Sequence, residues 1–246
     1  MALRTGCTVL DFIGHTPLLR LIQIEPPGGA EVWAKLEYLN PGLSVKDRAA
    51  LGMVLAAERD GTLKPGSVII EPTAGNTGIG LALIGRQRGY RVVLVVPANF
   101  SCEKMRIMRA LGGELVVTPR EAGMEGAIAE AHRLASTIPG GLVLQQFENP
   151  ANPQYHYETT GAEMWEQSGG RADAIVPGAG AGGTYTGVVR YFREHGSRVR
   201  GVLAGASGGA AVHAALEIAR RLGAGARILT MIPDSSERYF SKGLFE

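Results

Sequence analysis

Short β-branched runs alternate along the chain with amphipathic, Ala- and Leu-rich segments, and this alternation limits the fold more than any other feature. Strands are predicted at residues 67–71, 91–96, 114–118, 174–176 and 227–232. Helices are predicted at residues 47–59, 77–88, 102–111, 126–136, 184–194 and 210–222. The strands are almost wholly apolar, which is typical of a parallel sheet covered by helices on both faces. The sequence therefore predicts an α/β fold that binds ligands beyond the carboxyl ends of its strands.

Composition and charge exclude several classes of partner. The 246 residues carry a formal net charge of only +2, and no dense basic tract suggests nucleic-acid binding. The apolar runs are too short to span a membrane, and the N-terminus does not resemble a signal peptide. Cys7 and Cys102 are far apart without metal-ligand spacing, so we expect no metal site and a reduced, cytoplasmic setting.

Glycine is abundant, with 35 residues, and it clusters in three loops that follow apolar runs. The first loop is EPTAGNTGIGLAL at residues 71–83. Its small residues allow a ligand to approach the backbone, and the N–H groups at the start of the following helix favour an anion such as a carboxylate. A simple turn in which Asn76 or Thr77 caps the helix explains only one of its polar residues.

The second loop is VPGAGAGGTYTG at residues 176–187. Gly178, Gly180 and Gly183 match the dinucleotide-binding pattern G-x-G-x-x-G, but no acidic residue follows in the next strand to bind a ribose. A single phosphate held at the start of a helix fits this loop better.

The third loop is LAGASGGAAV at residues 203–212, in which Ser207 lies in a G-x-S-x-G pattern. This pattern raises the alternative of a serine hydrolase, which needs an acid and then a histidine later in the chain. The only later histidine is His213, which belongs to the same predicted helix and precedes Asp234. The hydrolase is therefore disfavoured, and Ser207 is interpreted as a hydrogen-bonding group or helix cap.

Lys46 follows the turn NPGLSV and begins a predicted helix. Surface lysines near helix starts are common, and taken alone Lys46 would be interpreted as a solvated side chain. The N-terminal end of a helix disfavours a positive charge, however, so a neutral imine to a carbonyl cofactor is the alternative interpretation. Together with a phosphate loop, a carboxylate loop and a polar serine, this lysine suggests pyridoxal phosphate.

The chain resembles the cysteine synthase (O-acetylserine sulfhydrylase) and cystathionine β-synthase family of fold-type II pyridoxal-phosphate enzymes. Matching motifs run nearly end to end: IGHTPLLRL at 13–21, KLEYLNPGLSVKDR at 35–48, EPTAGNTGIGLA at 71–82, QQFENPANP at 145–153, ETTGAEMW at 158–165, GAGAGGTYTG at 178–187, LAGASGGAA at 203–211 and PDSSERYFSKGLFE at 233–246.

This resemblance implies two three-layer α/β/α domains with mostly parallel sheets, as in the β-subunit of tryptophan synthase. Residues 1–148 would carry the Schiff-base lysine and the carboxylate loop, and residues 149–246 the phosphate loop and the serine. The resemblance also implies the residue roles. Lys46 would bind the cofactor and move protons, Asn76 would bind its 3′-oxygen, and Ser207 would face the pyridine nitrogen. The phosphate would be held by Gly180, Ala181, Gly182, Gly183 and Thr184. The substrate carboxylate would be bound by Thr73, Ala74, Gly75, Thr77 and Gln146.

The activity implied by the resemblance is β-replacement on O-acetylserine by sulfide, which gives cysteine through an aminoacrylate intermediate. Cystathionine β-synthase chemistry, another β-replacement on serine or O-phosphoserine, and a catalytically silent homologue that acts as a binding partner remain alternatives. A homodimer is expected, and serine acetyltransferase is a candidate protein partner.

Two departures from the family pattern bear on these expectations. Ala74 replaces the usual serine, which removes one hydroxyl donor worth about 1 kcal/mol and makes serine or a phosphorylated serine harder to exclude as substrate. In addition, several dozen residues expected between Val202 and Leu203 are absent. Because every flanking motif is retained, we expect an omitted mobile segment rather than a true deletion, which would remove one wall of the active site.

Overall fold

The computed structural model describes residues 5–73, 75–205 and 207–242. The chain forms two compact units, each discontinuous in sequence. Unit 1 comprises Met1–Ile13, Lys46–Ala151 and Ser235–Glu246, and unit 2 comprises Gly14–Val45 and Asn152–Asp234. The boundary predicted after residue 148 lies near the change of unit after Ala151. A division of the chain at a single point does not describe the second unit fully, however, because Gly14–Val45 also belongs to unit 2. The assignment of functions to residues 1–148 and 149–246 stays a prediction.

The strands, in chain order, are β1 (Leu18–Arg20), β2 (Glu31–Leu36), β3 (Val68–Pro72), β4 (Arg91–Pro97), β5 (Glu114–Thr118), β6 (Gly141–Val143), β7 (Ala174–Val176), β8 (Arg200–Gly201) and β9 (Arg227–Ile232). The α-helices are α1 (Lys46–Arg59), α2 (Asn76–Arg88), α3 (Cys102–Ala110), α4 (Gly123–Thr137), α5 (Ala151–Tyr155), α6 (Ala162–Ser168), α7 (Gly183–Glu194) and α8 (Gly208–Leu222). A π-helix, His156–Gly161, joins α5 to α6. Every predicted strand and helix forms, and no end is displaced by more than three residues.

Unit 1 contains a parallel sheet of four strands in the order β5-β4-β3-β6. Successive side chains of a strand point to opposite faces. On one face, the valines and isoleucines of β3 and β4 pack against Ala127 and Ala131 of α4. On the other face α2 approaches β4 so closely that a Cβ atom on Gly85 would collide with Val92. Helices therefore cover both faces of this sheet.

Unit 2 contains a sheet of five strands in the order β1-β2-β9-β7-β8, in which only β1 runs antiparallel to its neighbour. Val32, Ala174 and Ile228 face α8 and its alanines. Ile175 and Leu229 face the opposite side, where they join the core formed with α6 and α7. The structure confirms the predicted α/β class with mostly parallel sheets and helices on both faces.

The chain is continuous where a segment was expected to be omitted. After β8, the Val202 amide donates to the Ile175 carbonyl (2.9 Å) and the Ala204 amide donates to the Pro177 carbonyl (3.1 Å). The chain thus runs beside β7 until it enters the serine loop, and the Val202–Leu203 peptide bond lies within this regular pairing. The 246-residue sequence itself runs directly from Val202 to Leu203, so the expectation of an omitted mobile segment is wrong.

Among the described residues, no helix is both long enough and apolar enough to cross a membrane.

Close packing at Gly187 gives a prediction about stability. Gly187 lies on α7, and a Cβ atom there would lie 2.5 Å from the Pro153 carbonyl oxygen and 2.6 Å from the Tyr157 nitrogen. Because both neighbours are backbone atoms, Gly187→Ala should lower the free energy of unfolding by about 1–3 kcal/mol, as overpacking does. Chemical denaturation of the purified variant measures the change.

Gly209→Ala is the matched control, because Gly209 also lies on a helix, α8, but a Cβ atom there would have no heavy atom within 4 Å. This substitution should leave stability unchanged or raise it by up to about 1 kcal/mol. Equal destabilisation by the two substitutions would contradict the packing at Gly187.

Candidate active site

The loop between β3 and α2 is shaped by one buried threonine. The Thr73 hydroxyl oxygen accepts the backbone N–H groups of Gly75 (3.1 Å) and Gly78 (3.2 Å), so Thr73 caps the helix rather than Asn76 or Thr77. A hydroxyl that accepts two N–H groups still has its own proton to donate. Ala74, which was predicted to bind the substrate carboxylate, lies outside the described residues.

Two predicted carboxylate-binding residues touch each other in unit 1. The Thr77 hydroxyl, on the first turn of α2, donates to Oε1 of Gln146 at 2.6 Å. This bond fixes the orientation of the Gln146 amide, so that Nε2 is the end that can donate to a carboxylate. Thr73, Gly75, Thr77 and Gln146 are thus brought together, as the sequence predicts, although no bound ligand tests their predicted role.

Asn76 is oriented by a residue that the sequence reasoning did not identify. The buried guanidinium of Arg238 donates to Oδ1 of Asn76 at 2.7 Å, so Nδ2 is the donor end of that amide. Nearby, the mostly buried Lys104 ammonium lies 3.3 Å from the Tyr239 hydroxyl and 4.4 Å from the centroid of its ring. These contacts join residues about 135–160 positions apart in sequence, so no local pattern reveals them.

Lys46 is the first residue of α1, and α1 packs against α2 through a glycine. A Cβ atom on Gly80 would lie 3.1 Å from the Lys46 carbonyl oxygen and 3.1 Å from the Ala50 Cβ. Only a residue without a side chain lets the two helices approach this closely. The packing therefore brings the start of α1, with Lys46, beside the first turns of α2.

In unit 2, the predicted phosphate loop leads directly into α7. Gly182 adopts φ +78°, a left-handed conformation that favours glycine, immediately before the helix begins at Gly183. A Cβ atom on Gly183 would collide with the side-chain amide of Asn152, which is buried behind the loop. The backbone of residues 180–183 and the positive end of α7 form the type of site that holds a phosphate.

The hydroxyl of Thr184 is held by a buried chain of polar groups. Nε2 of His156 lies 3.2 Å from the Thr184 hydroxyl, and Nδ1 lies 2.8 Å from the Thr160 hydroxyl. His156 is fully buried and begins the π-helix, a type of helical distortion found frequently at functional sites. The sequence reasoning missed His156, although it lies between the QQFENPANP and ETTGAEMW motifs.

The serine loop lies beside the phosphate loop. The Ala179 amide donates to the Ala204 carbonyl at 2.7 Å, and Gly178 forms a parallel bridge with Ala204. The exposed Ser207 caps α8 by accepting the Ala210 amide at 3.2 Å, as the helix-cap interpretation predicted. His213 lies within α8 itself, which gives no support to a serine hydrolase. No group of three or more potential metal ligands occurs among the described residues.

Comparisons with known proteins agree with this geometry. Residues 9–200 match the family described as "Pyridoxal-phosphate dependent enzyme". The "O-acetylserine dependent cystathionine beta-synthase" of Bacillus subtilis (strain 168) is 38% identical over 298 residues, covering 97% of each chain. "Cysteine synthase B" of Escherichia coli (strain K12) is 51% identical over 187 residues, covering 76% of this chain and 61% of that protein. The crystal structure of O-ureido-L-serine synthase is 36% identical with a TM-score of 0.92, covering 99% of this chain and 97% of that one.

The same comparisons support a true shortening. The Bacillus subtilis alignment spans 298 residues, whereas this chain has 246, so at least 52 positions of the relative have no counterpart here. The family match ends at residue 200, two residues before Val202.

Backbone N–H groups at the start of α7 in unit 2, and a lysine and several hydrogen-bond donors at the starts of α1 and α2 in unit 1, are the types of group that pyridoxal phosphate and an amino acid require. With the family match over residues 9–200 and relatives 36–51% identical, they lead to one conclusion: the chain belongs to the pyridoxal-phosphate-dependent enzymes, and it is an enzyme of the β-replacement or β-elimination type that uses pyridoxal phosphate.

Proposed function

We propose that the chain converts O-acetyl-L-serine and sulfide to L-cysteine and acetate. The observation that carries the proposal is the set of hydrogen-bond donors around the start of α2, where Thr73 caps the helix and Thr77 orients Gln146. This set suits the carboxylate that every amino-acid substrate carries. The names of the Bacillus subtilis and Escherichia coli relatives support O-acetylserine as the donor and cysteine as the product.

Pyridoxal phosphate supplies an aldehyde that condenses with amines and a ring that accepts electrons from the substrate α-carbon. In the proposal, Lys46 is the residue that binds this aldehyde. With an amino-acid substrate bound, Lys46 Nζ would remove the proton from the substrate α-carbon. Acetate would leave from the β-carbon with the electron pair of its C–O bond, sulfide would add to the same carbon, and the Lys46 ammonium would return the proton to the α-carbon.

Residues of unit 2 hold the cofactor in the proposal. The backbone of Gly180, Ala181, Gly182 and Gly183 and the Thr184 hydroxyl bind its phosphate, with the positive end of α7 favouring the negative charge. In the proposal, Ser207 forms a hydrogen bond with the pyridine nitrogen. Because the Ser207 oxygen already accepts the Ala210 amide, its hydroxyl proton can be donated to an unprotonated nitrogen. A neutral partner of this kind favours prompt loss of the β-substituent over prolonged carbanion chemistry.

Residues of unit 1 bind the substrate carboxylate and the 3′-oxygen of the cofactor. Asn76 donates Nδ2 to that oxygen, since its Oδ1 is bound by Arg238. The Thr73 hydroxyl, the Thr77 backbone N–H and Nε2 of Gln146 receive the carboxylate, while the N–H of Gly75 donates to Thr73 and helps to hold its hydroxyl in place. Ala74 adds no side-chain hydroxyl, so the backbone and Gln146 carry more of the binding than in a chain with serine at this position.

Synthesis of cystathionine is the second candidate, favoured by the name of the Bacillus subtilis relative. It uses the same donor and replaces sulfide by the thiol of an amino acid, so the proposed residues have the same roles. We further propose that the chain acts as a homodimer, with serine acetyltransferase as a candidate partner.

The decisive experiment follows the visible absorbance of the purified, cofactor-loaded chain. Adding O-acetyl-L-serine should change the cofactor band, and adding sulfide should restore it with the release of cysteine, which is quantified separately. Restoration by homocysteine but not by sulfide would select the cystathionine reaction. A cofactor band that no β-substituted serine changes would contradict the proposal and identify a binding protein without turnover, the alternative to which the shortened segment points.

The variant Lys46→Ala tests the proposed role of this lysine. Reduction of the cofactor-loaded wild-type chain with borohydride should attach the cofactor to the peptide that contains Lys46, which mass spectrometry detects. The same treatment of Lys46→Ala should give no such attachment. The exposed Lys64 provides the control, because Lys64→Ala should leave both the attachment and the absorbance unchanged. Cofactor attached to a different lysine would rule out the proposed role.

Cofactor affinity should depend on His156. His156→Leu removes both ring nitrogens and leaves the Thr184 hydroxyl without its buried partner. The dissociation constant for pyridoxal phosphate should rise by about tenfold, the equivalent of one buried hydrogen bond. Titration of the cofactor-free chain, followed by absorbance, measures it. His132→Leu, at an exposed position on α4, should change nothing.

A further inference from the structure

Glu71 is a fully buried carboxylate near the end of β3, two residues before Thr73. Its two oxygens accept the backbone N–H groups of Gln145 and Gln146, each at 3.0 Å, and the Leu144 amide also bonds to it. A carboxylate that receives several backbone amides fixes the path of that backbone. Glu71 therefore holds the segment that follows β6.

The segment held by Glu71 has an unusual conformation. Gln145 adopts φ +57°, which is strained for a residue other than glycine, so the surrounding contacts must maintain it. The Gln145 carbonyl accepts the amides of Glu148 and Asn149, both at 2.9 Å, and the Asn149 side chain donates to the Leu144 carbonyl at 2.8 Å. Glu71 thus binds the amides of the segment, while residues 148–149 bind its carbonyls.

The turn at Gln145 determines where the next residue points. Gln146 leaves the turn with its side chain buried and its Oε1 at 2.6 Å from the Thr77 hydroxyl. We propose that Glu71 is a positioning residue, which holds Gln146 where its amide can bind the carboxylate of the amino-acid substrate. This inference rests on the function proposed above.

The energetics of Glu71 agree with a functional role. Burial raises the pKa of Glu71 from 4.5 to about 7, although the amides of residues 144–146 act in the opposite direction. Because the pKa in the folded chain lies above the ordinary value, the contribution of Glu71 to stability falls as the pH rises from about 4.5 to about 7. An ionised Glu71 therefore lowers the folding stability relative to a protonated one.

No charged side chain contributes to the pKa shift of Glu71. The neighbouring elements β4, α2 and α4 bear their charges at exposed or partly exposed positions, namely Arg91, Arg86, Arg88, Glu125, Glu130, His132 and Arg133. β6 bears none. The amides of residues 144–146 are thus the groups that respond when Glu71 gains or loses its proton.

The test compares Glu71→Gln with the wild-type holoenzyme. L-methionine is the probe, because it carries the α-carboxylate but no leaving group on its β-carbon, and its binding is followed by the cofactor absorbance. At pH 8 the dissociation constant should be about tenfold higher in the variant, the equivalent of one lost hydrogen bond. At pH 6 the ratio should fall to about twofold, because most of the wild-type Glu71 is then protonated as well.

Two comparisons separate positioning from a general structural effect. In a Gln146→Ala background, Glu71→Gln should cause no further loss of affinity, because the two residues act in series. Glu114→Gln removes a carboxylate from the neighbouring strand β5, where it pairs with Arg91, and should leave the affinity unchanged. An equal loss with and without Gln146, or a ratio independent of pH, would overturn the proposal.

Hydrogen exchange gives a readout that does not depend on activity or on the cofactor. In Glu71→Gln, the amides of Gln145 and Gln146 should exchange faster, with little change at the sheet amides of β4. In the wild-type chain, the protection of the same two amides should decrease when the pH is lowered from 8 to 6, after correction for the intrinsic exchange rates. This measurement needs no variant, so it tests the proposal even if Glu71→Gln does not fold. Unchanged protection would overturn the proposal, whereas a wild-type holoenzyme that shows no response to L-methionine would instead count against the proposed function.

Discussion

The proposed site depends on the parallel pairing of strands, because parallel strands end at the same edge of a sheet. In unit 1, Ile70 of β3 pairs with Val143 of β6. Thr73 and Gln146 each lie three residues beyond this pair, so the capping threonine and the glutamine emerge side by side. An antiparallel partner would place the glutamine at the opposite edge. Sheet register, rather than any property of the loops, thus brings together the residues proposed to bind the carboxylate.

The same constraint operates in unit 2 through β7 and β8. Ile175 pairs with Gly201, and the bridge between Gly178 and Ala204 keeps the same offset of 26 residues. At this offset Ala181 of the phosphate loop corresponds to Ser207. Each loop then continues into a helix, α7 or α8, whose positive end lies at this edge of the sheet. Two neighbouring strands therefore lead into both the loop proposed to bind the phosphate and the loop that carries the serine.

Elements with continuous apolar patterns could be predicted from the sequence, whereas elements stabilised by distant partners could not. β2, Glu31–Leu36, contains Glu31 and Lys35 and was not predicted. Lys35 is nevertheless fully buried, because its ammonium contacts Glu163 at 2.7 Å and the Thr16 carbonyl at 2.6 Å. A partner 128 residues away neutralises a charge that would otherwise argue against a buried strand.

The site shows the same division between local and distant information. The glycine loops and Lys46 could be proposed from the sequence because each proposed function requires a local backbone conformation, such as the positive φ of Gly182. Arg238 and His156 could not, since each acts by orienting a residue of another element: Arg238 orients Asn76, and His156 orients Thr184. Motifs therefore indicate the groups that touch a ligand, and the folded chain identifies the groups that hold them in place.

The sequence expectation for a chain shortened after Val202 is the loss of one wall of the active site. The backbone on either side of this point is nevertheless regularly hydrogen-bonded. The bonds from Val202 to Ile175 and from Ala204 to Pro177 lie on either side of the shortened point. They continue the β7–β8 pairing without a break and lead the chain into the serine loop. The support of Ser207, its cap on α8 and the neighbouring phosphate loop are all made by residues that the chain retains. At least 52 positions of the Bacillus subtilis relative therefore have no counterpart in this chain, whereas the residues that form these contacts around the serine loop are all present.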